Sequence, residues 1–298
     1  MNPVTLYETN RAFGLRDLVD RRIAKSLGAR SASLLGLRGH QMAVFANDLI
    51  GIQINLHGIY EREELEFLFG FLRPVHHLMA EGLALDIGAN IGNHTLFFSD
   101  RFAAVHTFEP NPPTLALLRF NTRHAANTTI HGHGLGDLQG HFELVEDGVN
   151  VGGSSLAVQA NQGQRTVSVP VERLDDLPLD LRKLCFIKLD VEGFEMQVLR
   201  GGERTLRSHQ PLIVLEQHRK EFSAGSTDSI RLLKSLGYRF CWHERGGPAG
   251  GRWRHWWRAG RAMVFGEQHR MVSSALVPPG YYPMLLAVPP RFAAALKL

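Results

Sequence analysis

The chain has 298 residues, 44% of them hydrophobic, which suits one large domain with extensions better than two complete domains. A pI of about 9.3 accompanies a formal net charge of only +4, so the basic character is mild and does not by itself imply nucleic acid. Only Cys185 and Cys241 are present, with no Cys/His spacing for zinc, and no apolar run has membrane-spanning or signal-peptide length; a soluble cytoplasmic protein is expected.

Residues 1 to about 38 are polar and Arg-rich with scattered leucines and predict a helical arm. The stretch 42–57 mixes β-formers with Gly51 and an Asn-Asp turn and predicts a hairpin-like pair. From Tyr60, Leu65, Leu68, Phe69 and Leu72 share one helical face, and Pro74 ends that helix. These elements make an N-terminal helical/β extension over 1–80, ahead of a catalytic domain over 81–298.

Strand-like runs then alternate with helical spacing: 82–87, 103–109, 128–134, 184–190 and 211–216, with late strands at YRFCW and MLLAV. The pattern predicts an α/β fold, a doubly wound sheet of seven strands, five of them parallel. The stretch 138–180 breaks this rhythm and predicts an inserted hairpin near the active face.

Asp86-Ile-Gly-Ala-Asn-Ile-Gly92 follows the first strand and opens a helix, so backbone at Gly88 to Gly92 can approach a ligand closely. A dinucleotide fingerprint needs glycine where Asn90 stands, which makes the match to NAD poor. Asp86 instead offers a carboxylate to an ammonium group, which suits the amino-acid end of S-adenosylmethionine. Glu109 ends the second strand, where a carboxylate accepts ribose hydroxyls, and Asp137 after the third can take an adenine amino group. Ala89, Asn93 and Pro110 flank these positions and complete the candidate cofactor set.

Together ALDIGANIGNHTLFF, VHTFEPNPPTLALLRFN, the LGD turn, IKLDVEGFEMQVLRGG and PLIVLEQH resemble the FkbM family of class I methyltransferases, in order and spacing, across about 83–218. The segment IGIQINLHGIYEREELEFL also resembles that family's lead-in. The resemblance implies a Rossmann-like core, with Asp86, Gly88, Asn90, Gly92, Glu109 and Asp137 lining S-adenosyl-L-methionine, and O-methylation, often of sugars or polyketide-type products. Asn111-Pro112-Pro113 is similar to the N-P-P-Y of amino-group DNA methyltransferases, but it follows the wrong strand and lacks the aromatic, so it is discounted.

Asp190 and Glu192 stand near the carboxyl ends of the parallel strands, where such folds bind ligands, and His218 follows the next strand. A weakly acidic sugar hydroxyl needs a base, and Asp190, Glu192 and His218 are the candidates. Each has a structural alternative: a helix cap for Glu192, cofactor ordering for Asp190, a hydrogen-bonded neighbour for His218, and the same for His94. The leading reading takes no metal; in the alternative, Asp190, Glu192 and His218 bind a divalent cation. Ser154 and Ser155 in a Gly-Ser loop are candidate contacts to a polyhydroxyl acceptor.

All four tryptophans, Trp242, Trp253, Trp256 and Trp257, lie among arginines within 242–267. Packing against the arm would explain them; the functional readings are a lid over sugar rings, with Trp253 and Trp256 touching the acceptor, or a surface resting on anionic lipid. Nucleic acid is disfavoured because the remaining charge is balanced. The expectation is methylation of a hydroxyl on a sugar, glycan or glycolipid-type acceptor, with peripheral contact at the inner face of the membrane. The reading from another class is an adaptor that keeps the cofactor fold without catalysis.

Overall fold

A computed structural model describes residues 14–37, 41–145, 155–156, 166–245 and 268–298. Among them are α1 (Leu15–Ser33), α2 (Leu49–His57), α3 (Arg62–Phe71), α4 (His76–Ala80), β1 (Leu83–Ile87), α5 (Asn93–Ser99), β2 (Ala104–Phe108), α6 (Pro112–Asn121) and β3 (Thr128–His131). Next come β4 (Gly134–Leu135), β5 (Gly140–Val145), β6 (Ser155–Leu156) and β7 (Thr166–Glu172). The chain continues with β8 (Leu184–Leu189), α7 (Glu195–Gly201), α8 (Glu203–His209), β9 (Leu212–Gln217), α9 (Asp228–Ser235), β10 (Arg239–Arg245), β11 (His269–Ser274), β12 (Tyr282–Val288) and α10 (Pro290–Ala293).

The main sheet has eight strands in the order β11-β10-β12-β9-β8-β1-β2-β3. The five strands β3, β2, β1, β8 and β9 are parallel, and β12, β10 and β11 add antiparallel pairings at one edge. The order reverses beside β1, which leaves a crevice at the carboxyl ends of β1, β2 and β8, the place where ligands bind in doubly wound sheets. The Rossmann-like α/β expectation therefore holds, with one strand more than the seven anticipated.

Both faces of the sheet are covered, which is why β1, β8 and β9 read as continuous apolar runs. Leu83, Leu85 and Ile87 of β1 face a core with Leu189, Leu215 and Phe194, while Ala84 faces the opposite core with Phe98, Phe186 and Val214. In that second core Phe69, Phe97, Phe98, Phe102 and Phe186 meet largely edge-on, with centroids 5.1–6.2 Å apart. Leu65, Leu68 and Phe69 of α3 and Leu72 beyond its end are buried here, as the periodicity predicts. Between β3 and β8 the chain builds a separate sheet, β4-β7-β5-β6, in which β5 and β7 pair antiparallel from Gly140↔Val171 to Val145↔Thr166.

The lead-in differs from its expectation. Where 42–57 predicts a hairpin-like pair, the structure has α2. Asp48 occupies the N-cap position, and Gly58, at φ 81°, closes the helix with its amide on the Ile54 carbonyl. Asp48 makes no side-chain cap hydrogen bond, so it is the glycine C-cap that stands against the β-branched isoleucines before it. Trp242 also departs from the surface cluster: it is buried in β10, edge-on to Tyr282 at 5.9 Å.

Candidate active site

The chain leaves β1 through Gly88 at φ 79° and enters α5 through Gly92 at φ 90°, with Asn90 between them at φ 51°. Asparagine tolerates the left-handed region, so it serves where a third glycine would stand. The glycines answer to protein neighbours as well as to a ligand. A Cβ on Gly88 would lie 1.7 Å from the Asp190 carbonyl oxygen, and one on Gly92 would lie 2.9 Å from Leu118 of α6. Gly88 and Ala89 donate their amides to the Phe108 carbonyl, at 3.1 and 3.0 Å, which holds the loop against the end of β2.

Glu109 lies at that end, 7% exposed. Its Oε2 accepts the Asn90 amide at 2.8 Å; its Oε1 accepts the Asn111 amide at 2.9 Å and the Thr114 hydroxyl at 2.8 Å. A carboxylate has about four acceptor sites, so three donors leave one open, on Oε2 of a residue that lines the cleft. Burial raises the Glu109 pKa against these hydrogen bonds. Beside it the Asn111 side-chain amide and the Asn90 Oδ1 are buried without hydrogen-bond partners, and both residues line the cleft. Orphaned donors and acceptors beside an open carboxylate fit a ribose and a heterocycle, so this wall is suited to S-adenosylmethionine.

Ala89, Pro110, Phe108, Gly134 and Leu135 complete the wall. Asn93 also lines it, but its side chain accepts the Tyr60 amide at 2.9 Å and donates to the Tyr60 carbonyl at 3.1 Å, tying the lead-in to the cofactor loop. Two expected contacts lie off the wall. Asp137 sits half-buried two residues past Leu135, where Gly201 of α7 packs against the Gly136–Asp137 backbone. Asp86 is fully buried behind the loop: Thr95 donates to its Oδ2 at 2.5 Å and Lys188 Nζ stands 3.8 Å from its Oδ1. The ammonium that meets Asp86 is therefore the chain's own lysine, in strand register with it across β1 and β8.

Lys188 also donates to the Asp190 carboxylate at 3.0 Å and to the Gly88 carbonyl at 3.3 Å. Burial works against its charge, but Asp190 and Asp86 outweigh that and hold its pKa above the ordinary lysine value. Reciprocally, burial opposes ionisation of Asp190 and Lys188 overcomes it, leaving the pKa lowered.

Past Asp190 the D-V-E-G turn places Glu192 at φ 53°, exposed on the rim. Glu195, buried, accepts the Val191 and Gly193 amides at 3.2 Å each and so shapes the turn; burial raises its pKa to about 7. Across from this turn, β9 presents Glu216, and His218 follows it on the same side of the chain. His218 Nε2 lies 3.3 Å from Glu216 Oε2, and the Tyr281 hydroxyl donates to Glu216 Oε1 at 2.8 Å. Burial, with repulsion from Asp190, pushes Glu216 up to about 8, and burial with repulsion from Asp190 also raises Glu192. His94, 6% exposed, pairs with Glu61 at 3.3 Å beside Tyr60, closing this end of the cleft.

The structure thus brings Asp190, Glu192 and His218 to one end of the cleft and adds residues outside the sequence-derived site candidates: Lys188, Glu216, Tyr60, Tyr281 and Asn111, the last discounted there as a DNA-methyltransferase motif. An acid inside the apolar run PLIVLEQH, two positions before His218, was the available signal for Glu216. Ser154, Trp253 and Trp256 lie outside the described residues; of Ser155 only the backbone, paired with Val145, is described.

A sequence profile described as the Methyltransferase FkbM domain matches residues 86–240, just over half of the chain. The chain belongs to the FkbM methyltransferase family. Among relatives of this FkbM protein, the hexuronic acid methyltransferase AglP of Haloferax volcanii is 31% identical over 131 residues, covering 43% of this chain and 53% of that one. Methyltransferase 1 of Beauveria bassiana is 28% identical over 146 residues, covering 41% and 58%. The chain spans about half the length of these relatives. Methyltransferase FkbM from Methylobacillus flagellatus KT, a solved structure, is 18% identical over 68% of this chain and 60% of that one, at a TM-score of 0.33, a likeness too loose to inform the site. The FkbM match takes in Glu109, Lys188, Asp190, Glu192, Glu216 and His218, while Tyr60, Glu61 and Tyr281 come from flanking segments.

Proposed function

We propose that the chain transfers a methyl group from S-adenosylmethionine to a hydroxyl of a sugar, glycan or glycolipid-type acceptor. The observation that carries this reading is the continuity of the cleft. At one end are the open Glu109 site, the unpartnered Asn90 Oδ1 and the unpartnered Asn111 side-chain amide; at the other are Asp190, Glu192 and Glu216, with Lys188 beneath them. Family membership supports methyl transfer, and a relative named for hexuronic acid supports a sugar-like acceptor.

S-adenosylmethionine, which Glu109, Asn90 and Asn111 would hold, would supply an electrophilic methyl on sulfur to an acceptor hydroxyl whose proton must leave. The chain's own task is to orient the hydroxyl and take that proton. Asp190 is held in place by Lys188 on the wall between the cofactor loop and the acceptor end, and Glu192, Glu216 and His218 surround the space beyond it. A lipid-carried acceptor would give the Arg/Trp-rich stretch an anionic surface to rest on, placing the enzyme at the inner face of the membrane.

The test is calorimetric titration with the product S-adenosylhomocysteine, expected near micromolar, about −8 kcal/mol. Glu109→Ala should remove that binding. A folded protein that ignores S-adenosylhomocysteine would overturn the enzyme reading in favour of an adaptor.

A further inference from the structure

We infer that Glu192, Glu216 and His218 form a divalent-cation site at the acceptor end of the cleft. The inference deepens the methyl-transfer reading, since a cation there would lower the pKa of an acceptor hydroxyl. One ligand atom from each residue lies within 4.8 Å of the other two. The 3.3 Å between Glu216 Oε2 and His218 Nε2 matches the edge between adjacent ligands, roughly 3.0–3.4 Å, around an ion bound at about 2.0–2.2 Å. The set is mixed, two carboxylates and an imidazole, and it comes from two separate strand ends, so it converges by fold and not by a run of acids.

The surroundings fit a ligand set. Tyr281 donates to Glu216 Oε1 while Oε2 stands beside His218 Nε2, and Glu221 Oε2 accepts the His218 amide at 3.3 Å, fixing the start of the turn that carries the imidazole. Charge balance points the same way. Asp190, Glu192 and Glu216 crowd together, while Lys188, the buried cation, is already engaged by Asp86, Asp190 and the Gly88 carbonyl. That engagement is also why Asp190 is not in the set: its carboxylate is drawn to Lys188, and Glu216 stands in the place that the sequence reading gave it. Carboxylate oxygens with one imidazole suit a hard-to-borderline divalent ion such as Mn²⁺.

The experiment strips the full chain with a chelator and titrates it with MnCl₂, reading free Mn²⁺ by electron paramagnetic resonance, with S-adenosylhomocysteine binding measured in parallel. One saturable Mn²⁺ per chain is expected. Glu192→Gln, Glu216→Gln and His218→Ala should each weaken it at least tenfold, with S-adenosylhomocysteine affinity within threefold. Asp190→Asn removes a neighbouring charge but no ligand and should weaken Mn²⁺ less than threefold. No saturable Mn²⁺ in protein that binds S-adenosylhomocysteine overturns the cation site alone. Equal losses in Asp190→Asn and the three ligand variants overturn it too, because bulk negative charge would then explain the binding. Should Glu216→Gln fail to fold, the exposed Glu192→Gln decides. Mn²⁺ bound normally by protein that ignores S-adenosylhomocysteine would keep the cation site and undo the methyl-transfer reading.

Discussion

At the scale of single residues, position relative to the cleft wall separates two carboxylates that look alike in sequence. Asp86 is sealed behind the loop against Lys188, so removing it leaves a buried ammonium with one partner fewer. Asp86→Ala should cost about 3–5 kcal/mol in urea unfolding, the range for breaking a buried pair, and a loss under 1 kcal/mol would show the pair to be unimportant. Glu109 faces the cleft with one acceptor site open. Glu109→Gln keeps the shape but turns an acceptor into a donor, and S-adenosylhomocysteine should bind at least tenfold more weakly by calorimetry. A third residue reports on acid stability. His131 contacts His106 at 2.9 Å and stacks on Phe108 at 4.5 Å; burial, then repulsion from His106 and His133, lowers its pKa to about 4. Between the ordinary histidine value near 6.5 and about 4 the unfolded chain binds the extra proton, so this contribution is full above 6.5 and is lost as pH falls through 4. Thermal melts of His131→Asn should show a flatter decline over that window; an unchanged slope would remove His131 as the cause.

At the scale of elements, α2 shows how the cleft is roofed. Leu49 and Ile50 line the cleft, and the segment carrying them is pinned at both ends by asparagines of the cofactor half. Asn121 accepts the Ala43 amide at 2.7 Å and donates to the Ala43 and Ile91 carbonyls at 3.0 and 2.8 Å; Asn93 does the corresponding work at Tyr60. Asn121→Ala should therefore raise amide hydrogen exchange across 43–57 while β1 and β8 stay protected. Exchange rising equally in β1 would mean global loosening. None of this was legible in the sequence, where isolated asparagines carry no sign of a backbone partner 78 positions away. Among the parallel strands, β1, β8 and β9 were the most legible, because burial on both faces makes each a short apolar run, whereas β2 and the half-exposed β3 showed as β-formers ahead of Glu109 and Gly132. The eighth strand, β11, was not: it lies at the sheet edge with exposed His269 and Arg270, a pattern that resists further pairing and carries no apolar alternation. Glu216 was missed for a related reason, since its role depends on register across β8 and β9 and on Tyr281, the residue just before β12.

At the scale of the whole molecule, the antiparallel edge bears on the Arg/Trp-rich stretch. Trp242 belongs to the core, so the aromatic surface proposed for lipid contact rests on Trp253, Trp256 and Trp257 with their neighbouring arginines. Arg245 at the end of β10 pairs with His269 at the start of β11, and its guanidinium reaches Glu63 and Glu64 of α3. Directly opposed antiparallel residues lie about 5 Å apart between Cα atoms, so a short Gly/Ser linker in place of 246–267 can join them without breaking the sheet. That replacement should leave S-adenosylhomocysteine binding unchanged, because the described cofactor wall uses nothing from 246–267. The full chain should cosediment with phosphatidylserine vesicles at low salt and release them as salt is raised, and the replacement should abolish that binding. A full chain that ignores anionic vesicles would confine the acceptor to the aqueous phase and leave the tryptophans to pack against protein or sugar.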